Sequence, residues 1–344
     1  MPEAKAAAQP RISSVSPQAA IPGGEFTIKG ENLAGAAVPR VLIGDVPASV
    51  LVGSDSFIIA RVPEGVSDSK MVVRATQKES KPWVCHVGIP LADSLHPVAN
   101  PSIDRTGNVF TTFSGSRGQK TPVSVYKVDG HGNVKAFLSD LMNATSVAFD
   151  SEGLLYVSSR YDGIVYQVTP AGEMSVYAEG MGVATGIAFD GEDNLFVGDR
   201  TGTIFKISRS RQIYVFATLE PSIAAYHLAF GPKRDLYVTG PTTSSFDGVY
   251  RISPNGQVSV CYRGLGRPQG LAFDIEGRLY VAASLGGRRG VVRFPGEGEE
   301  PELFLSGPNI VGLAFMAPSY LVVTTSSALY RVEAGVAGLP FPNL

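Results

Sequence analysis

The sequence predicts an all-β protein in which a small N-terminal β-sandwich precedes a six-bladed β-propeller. Three observations carry that prediction. Apolar runs are short and separated by turn residues, with 39 Gly and 24 Pro in 344 residues, which suits a turn-rich β chain better than a helical one. Alternation with period two marks the segment before residue 90. From residue 95 onward one phrase recurs, Ala-Phe or a close relative, centred on Phe149, Phe189, Phe230, Phe273 and Phe315 at spacings of 40 to 43 residues. A weaker copy, "PSIDRTGNVFTTF", has Ile103 in the Phe slot. Six units of about forty residues, each holding about four short strands, are the sequence signature of a propeller.

In residues 10–88 the strand-like runs are "RISSVSP", "EFTIKG", "RVLIG", "ASVLVGSDSFIIARVP", "KMVVRATQ" and "PWVCHVG". Gly, Pro, Asp and Ser punctuate them, and Phe26 and Ile28 share one face. The order "PRISSVSPQAAIPGGEFTIKGENL", then "VLIGDVPASVLVGSDSFIIARVP", resembles the TIG (IPT) family of immunoglobulin-like domains, with Val15 in a slot where the family has Ile. The resemblance implies an immunoglobulin-like sandwich acting as spacer or interaction module, without catalysis. The expected organisation is a flexible tail over 1–9, this domain over 10–88, the propeller over 92–334 and a C-terminal tail over 335–344.

Each repeat parses physically. "GIAF" is an inner strand, thin because six such strands crowd one axis. "DGEDN" is a tight turn whose Asp and Asn suit left-handed or Asx geometry. "LFVGD", "TGTIFKI" and "QIYVFAT" are the second, third and outer strands. The last copy supplies three clear strands, and its fourth is expected from about residues 86–92 or from the tail "GVAGLPF". "GIAFDGEDNLFVGD" and "GLAFDIEGRLYVAA" are similar to the NHL repeat, and the whole array resembles the regucalcin/gluconolactonase superfamily. That resemblance implies the fold and says little of activity, because such propellers carry many functions.

Composition narrows the function classes. A formal net charge of −2 gives no general attraction to nucleic acid or anionic membrane. On the loops of the propeller's top face eight positive side chains meet seven negative ones, too balanced to track a phosphate backbone. No apolar run reaches the length of a signal peptide core or a membrane span, so a soluble, cytoplasmic protein is expected, with neither nucleic acid nor membrane as partner. Cys85 and Cys261 both sit in apolar strand-like runs and are expected to be buried thiols.

The informative positions are the loops that do not repeat. Turns between first and second strands belong to the bottom face; segments entering the inner strands and loops after the second strands belong to the top, where the mouth of the funnel is expected. Loops 158–163 ("SSRYDG") and 198–202 ("GDRTG") each pair an Arg with an Asp. Either the Asp holds the turn while the Arg packs on the next blade, or the Arg fork binds a carboxylate or phosphate. Arg160, Asp199, Arg200, Gln269, Asn143 and Tyr226 are the candidate ligand-binding residues. His227, at the entry of its inner strand, is the candidate catalytic acid or base, with His96 a potential companion.

The superfamily resemblance implies a metal-dependent lactonase, with a Glu and several Asn or Asp side chains holding a divalent ion at the top of the axis. The matching slots are Ala99, Thr145, Thr185, Tyr226, Gln269 and Val311, none a carboxylate, whereas Ca²⁺ wants six to eight oxygens, usually including carboxylates. No cofactor is therefore expected, and the metal ligands of a displaced site are unknown. The leading expectation is a binding protein whose propeller mouth takes a small polar or anionic molecule or a protein segment. The alternative is a lactonase or hydrolase with an altered metal site.

Overall fold

The computed structural model describes residues 8–35, 38–66, 69–244, 246–296 and 298–340. The ends of both expected tails, 1–7 and 341–344, and Ser245 of the loop at 240–248 lie outside the described residues. Among the described residues all the regular structure is strand, and no helix is long and apolar enough to cross a membrane. Two compact units emerge: Met1–Ile89 with Arg288–Gly290 and Leu303–Pro308, and Pro90–Gly287 with Val291–Glu302 and Asn309–Leu344.

In the first unit two ladders share one strand. Val46–Gly53 pairs with Arg40–Ile43 through its first residues and with Phe57–Arg61 through its last, a bulge between Val50 and Val52 turning the corner. Glu25–Glu31 and Arg11–Ser16 extend one side, Lys70–Ala75 the other. Phe26 and Ile28 face inward with Ile58 and Ala60, and meet Val41, Ile43, Met71 and Val73 of the opposite layer in one core. This is the immunoglobulin-like sandwich expected from the alternation.

The second unit is the propeller. Five repeat copies form four-stranded sheets of their own, whereas the copy centred on Phe273 lies in a six-stranded sheet, four of whose strands are Leu271–Phe273, Leu279–Leu285, Arg288–Phe294 and Glu302–Ser306. Six separate four-stranded blades were expected; five are found, with the sixth copy part of a larger sheet. Ile89–Ala92 supplies the fourth strand of the last sheet, next to Leu329–Glu333. The tail does something else: Gly338 bridges Asp274, and the Leu339 amide donates to the Phe273 carbonyl at 2.9 Å.

Inner strands are thin where they crowd. A Cβ on Gly186 would lie 2.3 Å from the Tyr226 carbonyl oxygen, and one on Gly312 would lie 2.4 Å from that of Ala99. Their aromatic ends join the blades. Phe149, Phe189, Phe230, Phe273 and Phe315 each meet an aromatic ring of the preceding blade's second strand edge-on: Phe110, Tyr156, Phe196, Tyr237 and Tyr280, at centroid distances of 4.7–5.2 Å. Such pairs contribute about 0.5–1.5 kcal/mol each beyond their buried area. At the closure the same two slots hold Ile103 and Val322, packed in one aliphatic cluster.

The bottom turns explain the rest of the repeated phrase. Asp104, Asp150, Asp190 and Asp274 each accept two backbone N–H bonds, from residues two and four places on, at 2.8–3.0 Å. The other carboxylate oxygen is satisfied in one of two ways. Where the second strand carries Phe110 or Phe196, Asn108 or Asn194 donates to it at 2.7 and 2.8 Å. Where it carries Tyr156 or Tyr280, the phenol donates at 3.0 Å in both cases, joined at Asp274 by Arg278 Nε at 2.6 Å. At Asp104 burial opposes the charge, but the bonds from Asn108 and Thr106 outweigh it and hold the carboxyl below its ordinary value. Cys85 is buried as expected, but Cys261 is exposed, because it lies on the outer strand Val258–Leu265, whose first residues face solvent.

The two solutions predict an interchange. Asn194→Leu strips a donor from Asp190 and should destabilise the protein by about 1–3 kcal/mol. Adding Phe196→Tyr should restore most of that loss, as measured by a double-mutant cycle in urea. Additive losses would contradict the interchange.

Candidate functional site

Strand register defines the two ends of the propeller. In the third blade Ala184 faces Asp199 at one end, and Phe189 faces Leu195 at the other. The loops with Arg160 and Arg200 thus belong to the top, and the Asp-capped turns to the bottom.

At the top, equivalent positions in consecutive blades hold Arg160 and Arg200, whose amides donate to the Asn143 and Val183 carbonyls at 3.3 and 3.2 Å. The first blade adds Arg117 through the loop 113–122. Asn143, buried and left-handed at φ 49°, anchors that loop. Its Oδ1 accepts the Gly118 amide at 2.8 Å, and its Nδ2 donates to the Gly115 and Ser116 carbonyls at 3.0 and 2.9 Å. Arg160 reaches the same loop, Nη2 donating to the Gly115 carbonyl at 2.9 Å. Its Nε is buried with no hydrogen-bond partner. Burial, then the like charges of Arg200 and Arg117, push the Arg160 guanidinium below its ordinary value. Among the described residues no carboxylate pairs with any of these three arginines.

The two aspartates beside these arginines are occupied elsewhere. Asp199 is buried, and its carboxylate accepts the Val183 amide at 2.9 Å, the Thr201 amide at 3.3 Å and the Thr201 hydroxyl. Asp162 accepts the Ile164 amide at 3.2 Å and the Tyr166 phenol at 3.0 Å. Both hold their turns. Tyr226 is also buried: its hydroxyl donates to the Glu220 carbonyl, and burial raises its phenol pKa. Gln269 is half-buried, and its carbonyl accepts the Thr239 hydroxyl.

The large cavity of the propeller lies toward the other end. It has a volume of about 770 Å³ and is lined by the lower halves of the inner strands and by bottom turns, including Asp190, Glu192 and Arg234. A mouth on the top face was expected, whereas this cavity lies among the bottom turns. Thr185 donates to the Gly198 carbonyl at 2.7 Å and accepts the Tyr226 amide at 3.2 Å, and neither residue lines the cavity. Of the predicted site residues only His227 lines it. That side chain is buried, and desolvation lowers its pKa to about 3, so the imidazole is neutral at physiological pH and a poor match to acid–base work there. His96 instead tilts against Phe113, with centroids 6.0 Å apart. Among the described residues no three His, Cys, Asp or Glu side chains gather as metal ligands.

Sequence reasoning put Arg117 on the same rim as Arg160 and Arg200 but not among the candidate ligand-binding residues, and did not see Asn143 as the anchor of its loop. The signal was present in "GSRGQK", a first-blade insertion, but its register depends on a contact to the next blade.

Residues 10–82 match the family model of the IPT/TIG domain. No curated protein sequence matches the chain. Among solved structures the fold is similar to a protein assigned as a gluconolactonase, with 18% identity and a TM-score of 0.60 over 74% of this chain and 94% of that one. It is similar to a luciferin-regenerating enzyme at 16% identity and 0.59, covering 75% and 99%. An auxiliary nutrient binding protein from Bacteroides ovatus ATCC 8483 matches at 12% and 0.52, covering 97% and 99%. At these identities the likeness is one of fold.

His227 yields a test by pH. A folded-state pKa near 3 against 6.5 for the ordinary side chain means the unfolded chain takes the proton first. The stability due to neutral His227 is full above about pH 6.5 and is lost as pH falls toward 3. His227→Leu should flatten the stability curve in that window, read by urea midpoints at stepped pH; an unchanged slope would show that the imidazole is solvated.

Proposed function

We propose that the propeller is a binding module whose top rim takes a small anion, a carboxylate or phosphate, on Arg117, Arg160 and Arg200, with the IPT/TIG domain as spacer. The observation that carries this reading is the meeting of three arginines without a carboxylate, one of them with a buried, unpartnered Nε. Like charges brought together at a half-buried position oppose folding. A bidentate anion would relieve that opposition. Asn143 acts as a positioning residue, holding the loop that carries Arg117. Asp199 and Tyr226 support the rim from beneath and make no direct contact with ligand.

The reading as a metal-dependent lactonase ranks second. It is supported by the fold likeness to the gluconolactonase, while the slots that hold metal in that superfamily carry Ala99, Thr145, Thr185, Tyr226, Gln269 and Val311.

Calorimetric titration with citrate and with inorganic phosphate at low salt, against a neutral sugar, tests the proposal. Saturable binding of an anion is expected, and Arg200→Ala should weaken it at least about tenfold, near 1.4 kcal/mol. Without ligand that variant should melt no lower than wild type, since a like charge has been removed. Absence of anion binding, or a loss of melting temperature with unchanged affinity, would overturn the anion site. Lactone hydrolysis abolished by a chelator would favour the hydrolase.

A further inference from the structure

We infer that the axial cavity is a second binding site, for a neutral and mainly apolar small molecule, and that residues 337–340 form a strap across its lip. At about 770 Å³ the cavity falls in the size range of small-molecule sites. Its wall is a ring of inner-strand ends, Phe149, Phe189, Phe230, Phe273 and Phe315, with small alanines between them.

The polar groups argue for an uncharged occupant. The charges that line the cavity sit at its lip and are paired with one another: Lys206 lies 3.9 Å from Asp190, and Arg234 lies 3.6 Å from Glu192. Deeper in, the polar residues are Asn100, Ser102, Ser146 and His227, and the Ser102 hydroxyl donates to the Val147 carbonyl at 2.8 Å. Asn100 is spent on structure: its amide donates to the Leu271 carbonyl at 2.9 Å, and its oxygen accepts the Leu313 amide at 3.1 Å. Ser146 Oγ accepts the Ile187 amide at 3.4 Å. The His227 ring makes no hydrogen bond among the described residues, which leaves that ring and the Ser146 hydroxyl proton, both neutral, to orient a ligand. A charged molecule would be stripped of water with nothing to balance it.

The strap is held by two backbone bonds and one close packing contact. The Ile275 amide donates to the Ala337 carbonyl at 3.0 Å, and the Leu339 amide to the Phe273 carbonyl at 2.9 Å. Leu339 and Pro340 then line the cavity. Gly338 lies so close to the last inner strand that a Cβ there would meet Phe315 Cβ at 2.2 Å. Any side chain at 338 must lift the strap.

Titration of the full chain with N-phenyl-1-naphthylamine, a neutral apolar dye that brightens away from water, tests the inference. Saturable binding of one dye per chain is expected, unaffected by phosphate or citrate. Ala229→Phe should weaken it at least tenfold by filling the cavity, and Ala188→Leu should do so from the neighbouring blade. Gly338→Ala should speed dye entry severalfold in stopped-flow. No saturable binding, or equal binding by folded cavity-filling variants, would overturn the site; unchanged entry rates in Gly338→Ala would overturn the strap. The anion site can fail without affecting either outcome.

Discussion

Edge-to-face packing of one aromatic ring on the next carries the propeller from blade to blade. Five phenylalanines end the inner strands, and each meets an aromatic of the blade before it. Ring quadrupoles favour this tilted contact over a flat stack, so the contact sets an angle as well as a distance. Repeated around an axis, the contact joins each of these blades to the one before it. Ile103 and Val322 take the two slots where the chain's last and first repeats meet, where a direction-free aliphatic contact tolerates the different entry of the opening strand. The phenylalanines that join the blades also line the cavity, so joint and cavity are products of one packing rule.

Below that ring the chain must turn sharply without leaving backbone amides unpaired, and a carboxylate two residues before the first needy amide does this at little cost in space. The alternative use of Asn194 or a Tyr156-type phenol for the second oxygen shows that the constraint is on the oxygen, not on the residue that serves it. Charge at these turns is therefore mostly consumed locally. The same holds for Asp199 and Asp162 at the other end, and it leaves the arginines beside them without their nearest counter-ions.

This division explains what could be read from the sequence. Whatever repeats is local: the thin strand, the capped turn and the Phe slot follow from neighbours in the chain, and so the sandwich, the propeller and the turn-holding part of Asp199 were legible. Whatever depends on contacts across blades was not. Tyr226 packs its ring against Gly198 and Gly240 and gives its amide to Thr185, a contact between neighbouring blades that the repeat does not announce. Arg117 joins Arg160 because Asn143 of the next blade grips its loop. Cys261 is exposed because an outer strand has one free face, which an apolar run such as "VSVCYR" does not reveal.

The two ends of the propeller thus offer opposite electrostatic environments. At the rim, burial lowers the affinity of Arg160 for its proton, yet the group stays charged because its ordinary value is so high. Charge is kept there, with no carboxylate paired to it among the described residues. At the axis, burial acts on His227, whose ordinary value is near neutrality, and the same desolvation removes the charge altogether. Between them lies the layer of Thr185 and Tyr226, whose hydroxyls are bound to backbone carbonyls and offer no mobile proton or charge to couple the two. An anion at the rim and a neutral molecule at the axis would each meet the environment that suits it, and neither would need the other.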